Sequence, residues 1–438
     1  MHEWSRALSA SIADDADVII VGGGPAGSAT AFYCAQAGLS VILLDKASFP
    51  RDKICGDGLT PRAVAEMTRM GVEIKEEDGW IRNKGLRVIG GGHRLEIPWP
   101  EVSAYPSYGM ARARTSLDQI LLEHARAAGA DVREQTSVSG PIIDPVTGWV
   151  QGVTARPVTA AGRRDGEEFT LRAPLVVDAG GVSARLAIAA GREKDNNRPM
   201  GVAVRTYFKS KRHDDPWMES HLELWDGKPN ESNLLPGYGW IFPLGDGTIN
   251  VGLGSVSATA QATKIDYRGV FETWMKNAPG DWDFSEENML GPVRGAALPM
   301  AFNRKPLYAR GLMLVGDAGG MVSPFNGEGI AYGIQAGRVA AEAIARGLAA
   351  PNKVARERDF MSYGEAMKED LGGYYQLGRV FVNLIERPEI MHLCVHYGLG
   401  VDWLMKFVMK LLADCYEPHG GDAVDRVISG LTRLVPAA

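Results

Sequence analysis

Asp17-Val18-Ile19-Ile20-Val21-Gly22-Gly23-Gly24-Pro25-Ala26-Gly27 sets the architecture of the 438-residue chain. The β-branched run reads as a buried parallel strand, and the glycines follow it directly. Ser28 to Ala37 then reads as a helix of small residues, and Val41-Ile42-Leu43-Leu44 as a second buried strand ending at Asp45. This is the strand–turn–helix–strand setting that a G-x-G-x-x-G pattern needs before it signals a dinucleotide. Gly22 permits the tight turn, Gly24 lets the backbone approach a pyrophosphate, and Gly27 lets helix and strand pack closely. The helix N-terminus offers unpaired N–H groups to phosphate, and Asp45 is spaced to accept hydrogen bonds from a ribose diol.

Working outward, the far end of the chain distinguishes NAD from FAD. Gly311-Leu312-Met313-Leu314-Val315-Gly316-Asp317-Ala318-Gly319-Gly320 is again strand then glycine-rich turn, and Asn326-Gly327-Glu328-Gly329-Ile330 opens an Ala-rich helix through about Leu348. This resembles the second FAD motif of the glutathione-reductase-type flavoproteins. The resemblance implies that Asp317 holds the ribityl chain and that the helix beginning at Gly329 and Ile330 faces the flavin N1/O2 edge, where its dipole favours the reduced state. The expected cofactor is therefore FAD, in an α/β, Rossmann-like fold. A third patch, Leu175 to Arg185 with Asp178-Ala179-Gly180-Gly181, reads equally as a cofactor contact or as a tight turn.

Three further segments carry a family resemblance. Arg51-Asp52-Lys53-Ile54-Cys55-Gly56-Asp57-Gly58 resembles the K-x-C-G-D/G segment of the geranylgeranyl reductase family. Arg114-Thr115-Ser116-Leu117-Asp118 resembles its R-x-x-F-D helix start, with Leu for Phe, and Pro236-Gly237-Tyr238-Gly239-Trp240-Ile241-Phe242-Pro243 resembles its Y-x-W-x-F-P substrate motif. The similarity runs in family order from Asp17 to about Leu348 and is greatest to the menaquinone-reducing branch. It implies an enzyme that uses FAD to saturate a carbon–carbon double bond of a polyprenyl chain, with flavin contacts from Ala26, Asp45, Lys46, Cys55, Gly56, Asp57, Arg114, Asp317, Gly329 and Ile330. The reductant that reloads FAD, NAD(P)H or a protein carrier, stays open.

Strand alternation places Tyr238, Trp240 and Phe242 on one face of a hairpin that turns at Gly245-Asp246-Gly247. That face suits a long apolar ligand, and it equally suits a sheet packed on its own core. An isolated trisubstituted alkene has no carbonyl to take up charge. Protonation at the less substituted carbon and hydride capture of the tertiary cation is the route expected, with Tyr238 or Trp240 stabilising the cation. Cys55 is either a small buried hydrophobe or a group that positions the flavin or donates a proton.

The rest of the composition bounds this picture. Charged residues are 23%, hydrophobic residues 45% and the net charge is -6, which disfavours a nucleic-acid partner. The basic cluster Lys209, Lys211, Arg212 and His213 reads as solvated surface. Cys34, Cys55, Cys394 and Cys415 form no C-x-x-C pair, so neither a disulfide framework nor a metal site is expected. Residues 1–16 contain no run suited to a signal peptide, and a cytoplasmic protein is expected.

The FAD-binding domain is expected to be discontinuous over 17–84, 107–197 and 294–348, with 85–106 and 198–293 forming an antiparallel-sheet substrate domain and 349–438 a helical region broken near Pro351 and Pro388. Within 397–416, Asp402, Lys406, Lys410 and Asp414 recur every four residues, so one charged stripe is expected opposite a broad apolar face carrying Trp403. Such a helix either lies on the inner face of the cell membrane or covers the substrate domain. Two rivals use the same fold: a flavin monooxygenase or halogenase acting on an aromatic substrate, and a non-catalytic flavin carrier. Trp240-Ile241-Phe242-Pro243 lacks the second Trp and the Ile of the halogenase W-x-W-x-I-P pattern.

Overall fold

Val18–Val21, Val41–Leu44, Leu175–Asp178 and Leu312–Leu314 are short runs rich in Val, Ile and Leu, and they pair in parallel as the centre of a six-stranded sheet. Asp131–Arg133 closes one edge and Tyr308–Ala309 the other. Alternate side chains enter separate cores, as the two-residue period requires. Val18, Ile20 and Leu43 pack among the helices Pro25–Gln36, Arg114–Ala127 and Ile330–Ala349. Ile19, Ile42 and Leu44 face a three-stranded antiparallel sheet of 136–143, 150–157 and 169–172. Burial on both faces is why these strands are apolar apart from Asp178, which ends the third of them. The structure is a computed structural model and describes residues 14–257, 265–278 and 280–435. Residues 1–13 of the leader reading, 258–264 and 279 of the expected substrate domain, and 436–438 of the C-terminal region lie outside the described residues.

A seven-stranded sheet stands beside this unit, in the order Arg294–Pro299, Met200–Lys209, Thr248–Ser257, Tyr238–Pro243, Trp217–His221, Gly85–Gly90 and His93–Pro98. Two details differ from the expectation. Arg294–Pro299 pairs along its length with Met200–Arg205, so this strand sits in the second sheet although 294–348 was assigned to the nucleotide-binding segments. The sheet is also not wholly antiparallel. Trp217–His221 runs parallel to Gly85–Gly90, because 85–106 is a distant hairpin inserted beside the later strands.

The C-terminal region is helical over Lys353–Ile385, Pro388–Leu393, Asp402–Leu412 and Ala423–Leu434. Here the expected charge stripe is corrected. Lys410 is buried in ion pairs with Asp422 and Asp425, at 3.0 and 2.8 Å. Asp414 lies beyond the helix end at φ 50°, and its carboxylate is 2.5 Å from Arg62. Side-chain spacing does not reveal that the helix stops at Leu412. Arg212, from the basic cluster, pairs with Asp215 at 2.6 Å and stacks on Trp282 at 3.8 Å, so it is engaged within the protein rather than freely solvated. All four cysteines are free thiols. Among the described residues no helix is long and apolar enough to cross a membrane.

Candidate active site

The glycine loop has the geometry that its sequence demands. Gly22 stands at φ +111°, and a Cβ on Gly27 would fall 1.8 Å from the Gly22 carbonyl oxygen. Asp45 closes the loop from the next strand: its Oδ2 accepts the Gly23 N–H at 2.7 Å, and its Oδ1 the Ala47 N–H at 2.8 Å. Among the described residues Gly24 opens onto free space, with only the Arg51 guanidinium within 4 Å of where a side chain would begin. Lys46 is exposed. Ala26 packs against Gly316 and Gly333, where added Cβ atoms would approach its own to 2.7 and 3.3 Å. The two glycine motifs, distant in sequence, thus meet face to face. In the third patch, buried Asp178 accepts the Gly180 and Ala187 N–H groups, both at 2.9 Å, and so ties its own turn.

Beside this cradle runs the loop of Arg51–Gly58. Asp57 takes a left-handed φ of 64°, tolerable for Asp, and is fully buried. Its carboxylate accepts Tyr207 O–H at 2.7 Å, Asn250 Nδ2 at 2.8 Å and Arg114 N–H at 3.3 Å. Asn250 also donates to the Cys55 carbonyl at 2.8 Å and accepts the Trp240 indole N–H at 2.9 Å. Burial lifts the Asp57 carboxyl to about 6 against the lowering effect of Asn250 and Tyr207. The Arg114 side chain forks onto Asp118 at 2.6 and 2.7 Å, and Arg51 meets the same carboxylate at 3.0 Å.

The aromatic hairpin packs directly over this loop. A Cβ on Gly56 would meet the Phe242 ring at 3.2 Å and the Trp240 nitrogen at 3.4 Å. Tyr238, Trp240 and Phe242 share one face, with neighbouring ring centroids 6.0 and 6.2 Å apart. Ile241 points to the opposite core. Trp240 is only 5% exposed, whereas Tyr238 and Phe242 on either side are partly exposed. The Tyr238 hydroxyl donates to the Asn326 carbonyl at 2.7 Å, joining the hairpin to the loop before the Ile330 helix.

Comparison with known proteins agrees with this geometry. Residues 15–365 match the model of the FAD binding domain family. A menaquinone reductase of Mycobacterium tuberculosis is 40% identical over 97% of this chain and 98% of its own length. A digeranylgeranylglycerophospholipid reductase of Methanocella arvoryzae is 30% identical over 91% of this chain and 95% of its own. The chain belongs to the geranylgeranyl reductase family of FAD-dependent oxidoreductases. A geranylgeranyl bacteriochlorophyll reductase-like protein from Thermoplasma acidophilum shares the fold of this reductase-family chain, with a TM-score of 0.72 at 23% identity over 95% of this chain and 99% of that one.

FAD is the cofactor of this flavoenzyme, and the residues present fit it. The space above Gly24 admits a phosphate-bearing group. Burial raises the Asp317 carboxyl, and only the charges of Lys53 and Arg114 act against this, so hydroxyl donors from a ribityl chain would relieve it. Gly329 brings the start of the Ile330 helix against that carboxylate, an added Cβ lying 3.2 Å from Asp317 Oδ1.

Several residues that shape the site escaped the sequence reading. Asn250 was legible only as a polar residue inside an apolar strand run, and Tyr207 and Arg205 carried no signal. Arg205 stacks on Tyr207 at 4.3 Å and donates to the Lys53 carbonyl at 3.0 Å. Glu328, a lone carboxylate between two glycines, is the main omission. Thr60 Oγ1 donates to its carboxylate, 2.9 Å from either oxygen, while burial raises the Glu328 carboxyl to about 7. Its backbone N–H bonds Asn326 Oδ1 at 3.0 Å, on the same loop that receives Tyr238.

Proposed function

We propose that this flavoenzyme saturates one carbon–carbon double bond of a polyprenyl chain, and that the chain is the isoprenoid tail of menaquinone. The observation that carries this reading is the aromatic face of Tyr238, Trp240 and Phe242 laid over the Cys55–Gly58 loop and tied through Asn326 to Glu328. An apolar wall with one near-neutral carboxyl beside it suits a substrate that has no polar handle at its reacting carbons. The 40% identity to a menaquinone reductase over nearly the whole chain supports the choice of tail.

FAD would be held by the Gly22–Gly27 loop, Asp45, the Cys55–Asp57 loop with Arg114, and Asp317 with the helix start at Gly329 and Ile330. When bound and reduced, it supplies hydride. The protein supplies the proton. Glu328, with its carboxyl raised by burial to about 7, gives its proton to the less substituted alkene carbon and is left as a carboxylate, to be reprotonated from solvent. Cys55 is the weaker candidate, because burial drives its thiol upward from an already high value. The Tyr238 ring face stabilises the tertiary cation while the dry aromatic wall excludes water.

Tyr238→Phe keeps that face and loses only the hydroxyl, whereas Tyr238→Leu loses the quadrupole. Turnover at saturating substrate is expected to stay within a few-fold in the first and fall about tenfold in the second. Equal rates in the two variants would remove the cation-stabilising role.

The direct test of the reaction is anaerobic mixing of dithionite-reduced protein with menaquinol, whose ring is already reduced and cannot take electrons. Reoxidation of the flavin is expected as the tail is saturated. No reoxidation until oxygen is admitted would reject the proposal and favour the monooxygenase rival.

We also propose that this enzyme binds a membrane peripherally, through the surface of 397–416. Tyr397 and Trp403 are 73% and 66% exposed, and Leu393 and Val401 beside them are exposed as well. Large exposed aromatic residues in one segment suit a headgroup layer. Sedimentation with anionic vesicles is expected to weaken in Trp403→Ser; undiminished sedimentation would move the contact elsewhere.

A further inference from the structure

The helix Pro388–Leu393 runs into a π-helical turn at Cys394–Gly398, an irregularity that often marks a functional position. This segment packs on the hairpin at the edge of the seven-stranded sheet, where Val395 and Leu399 meet Val88. His392 and His396 project from it with ring centroids 3.9 Å apart. Glu223, just past the strand Trp217–His221, approaches the same point. One ligand atom from each of the three lies within 4.8 Å of the other two.

Two details suit these groups to bind a cation. Glu223 Oε2 accepts the Gly91 N–H at 2.7 Å, which fixes the carboxylate, while Oε1 is buried and has no hydrogen-bond partner among the described residues. A buried carboxylate oxygen with no partner is costly unless a cation meets it. His396 Nδ1 lies 3.1 Å from the His392 carbonyl oxygen, which can only accept, so Nδ1 carries the proton and Nε2 presents its lone pair. A backbone carbonyl setting the tautomer of a histidine in this way is the usual support of a metal-bound imidazole.

We propose that Glu223, His392 and His396 form a binding site for a divalent transition-metal ion, best suited to Zn²⁺. Two imidazoles and one carboxylate are a borderline donor set that suits zinc over calcium or magnesium. Tetrahedral zinc with ligand bonds of about 2.0–2.1 Å needs its donors about 3.4 Å apart, so a small rotation of the exposed His392 side chain completes the set. The solvent side of His392 leaves a fourth position for water. An ion here clamps the 388–398 segment to the sheet edge and so fixes the start of the helices that follow. The site shares no residue with the flavin cradle and stands whether or not the proposed substrate is correct.

The test uses untagged, FAD-loaded protein stripped with EDTA and titrated calorimetrically with Zn²⁺, then with Co²⁺ to read the visible bands of a tetrahedral site. One equivalent is expected to bind. Glu223→Gln and the double variant His392→Ala/His396→Ala should each lose about tenfold or more in affinity with flavin content unchanged. Absence of saturable binding in the parent protein, or equal affinity in Glu223→Gln, would overturn the proposal.

Discussion

Glu328→Gln is expected to lower turnover by about 10²- to 10⁴-fold, the range in which a positioned general acid contributes. Flavin content and folding should be retained, because Gln keeps the volume and can still hydrogen-bond Thr60. The sign of the pH dependence follows from the carboxyl value of about 7, raised by burial. The acid is competent below that value, so kcat should be level at low pH and fall as pH rises through about 7. Stability shifts in the same direction. A folded carboxyl raised above its ordinary value favours the fold most when protonated, and that contribution fades as pH rises toward about 7. Glu328→Gln should therefore be at least as stable as the parent at alkaline pH while remaining slow. A variant that is slow because it is unfolded would show the opposite. Rapid-quench turnover and thermal melts across pH separate the two cases, and unchanged kcat would transfer the proton-donor role to another group.

Gly27→Ala is the second large effect. Its new Cβ would lie 1.8 Å from the Gly22 carbonyl, so the helix Pro25–Gln36 must move off the first strand and the phosphate-facing turn must open. Overpacking of this kind costs about 1–3 kcal/mol or more. The displaced turn is the one proposed to cradle the diphosphate, so purified protein should carry almost no flavin, as read from the ratio of flavin to protein absorbance. Gly38→Ala is the control. It sits at φ +81° with nothing within 4 Å, so it bears a backbone penalty of about 1 kcal/mol without a collision and should keep its flavin. Full flavin occupancy in Gly27→Ala would mean that the glycine loop does not hold the cofactor.

These two residues mark the limit of what the sequence discloses. Gly27 was legible because the need for close strand–helix packing is local and leaves a fixed spacing. The same holds for the alternating face of Tyr238 to Phe242. Glu328 was not legible, because its altered carboxyl comes from burial beside Thr60, which lies 268 positions away along the chain. Asn250 is a similar case: it bridges Trp240, Cys55 and Asp57, contacts that exist only once the hairpin lies on the loop. The stripe ending in Asp414 misled for the converse reason. Four-residue spacing implies one helical face, but the helix ends at Leu412 and Arg62 draws Asp414 inward. The strand Arg294–Pro299 was misassigned because an edge strand built by pairing with a distant segment has no local signature of its sheet.

The most direct measurement of the central claim is the mass of the substrate after one anaerobic cycle. Reduced protein would be mixed with menaquinone in deuterated water, the ring re-oxidised chemically, and the lipid fragmented to separate ring from tail. The expected product carries two added hydrogens in one isoprene unit, both deuterium, one reaching the alkene through the acid and one through the reduced flavin, whose N–H hydrogens exchange with the solvent. A tail of unchanged mass, with the flavin nonetheless reoxidised, would contradict the account and leave a flavoenzyme that passes its electrons only to the ring.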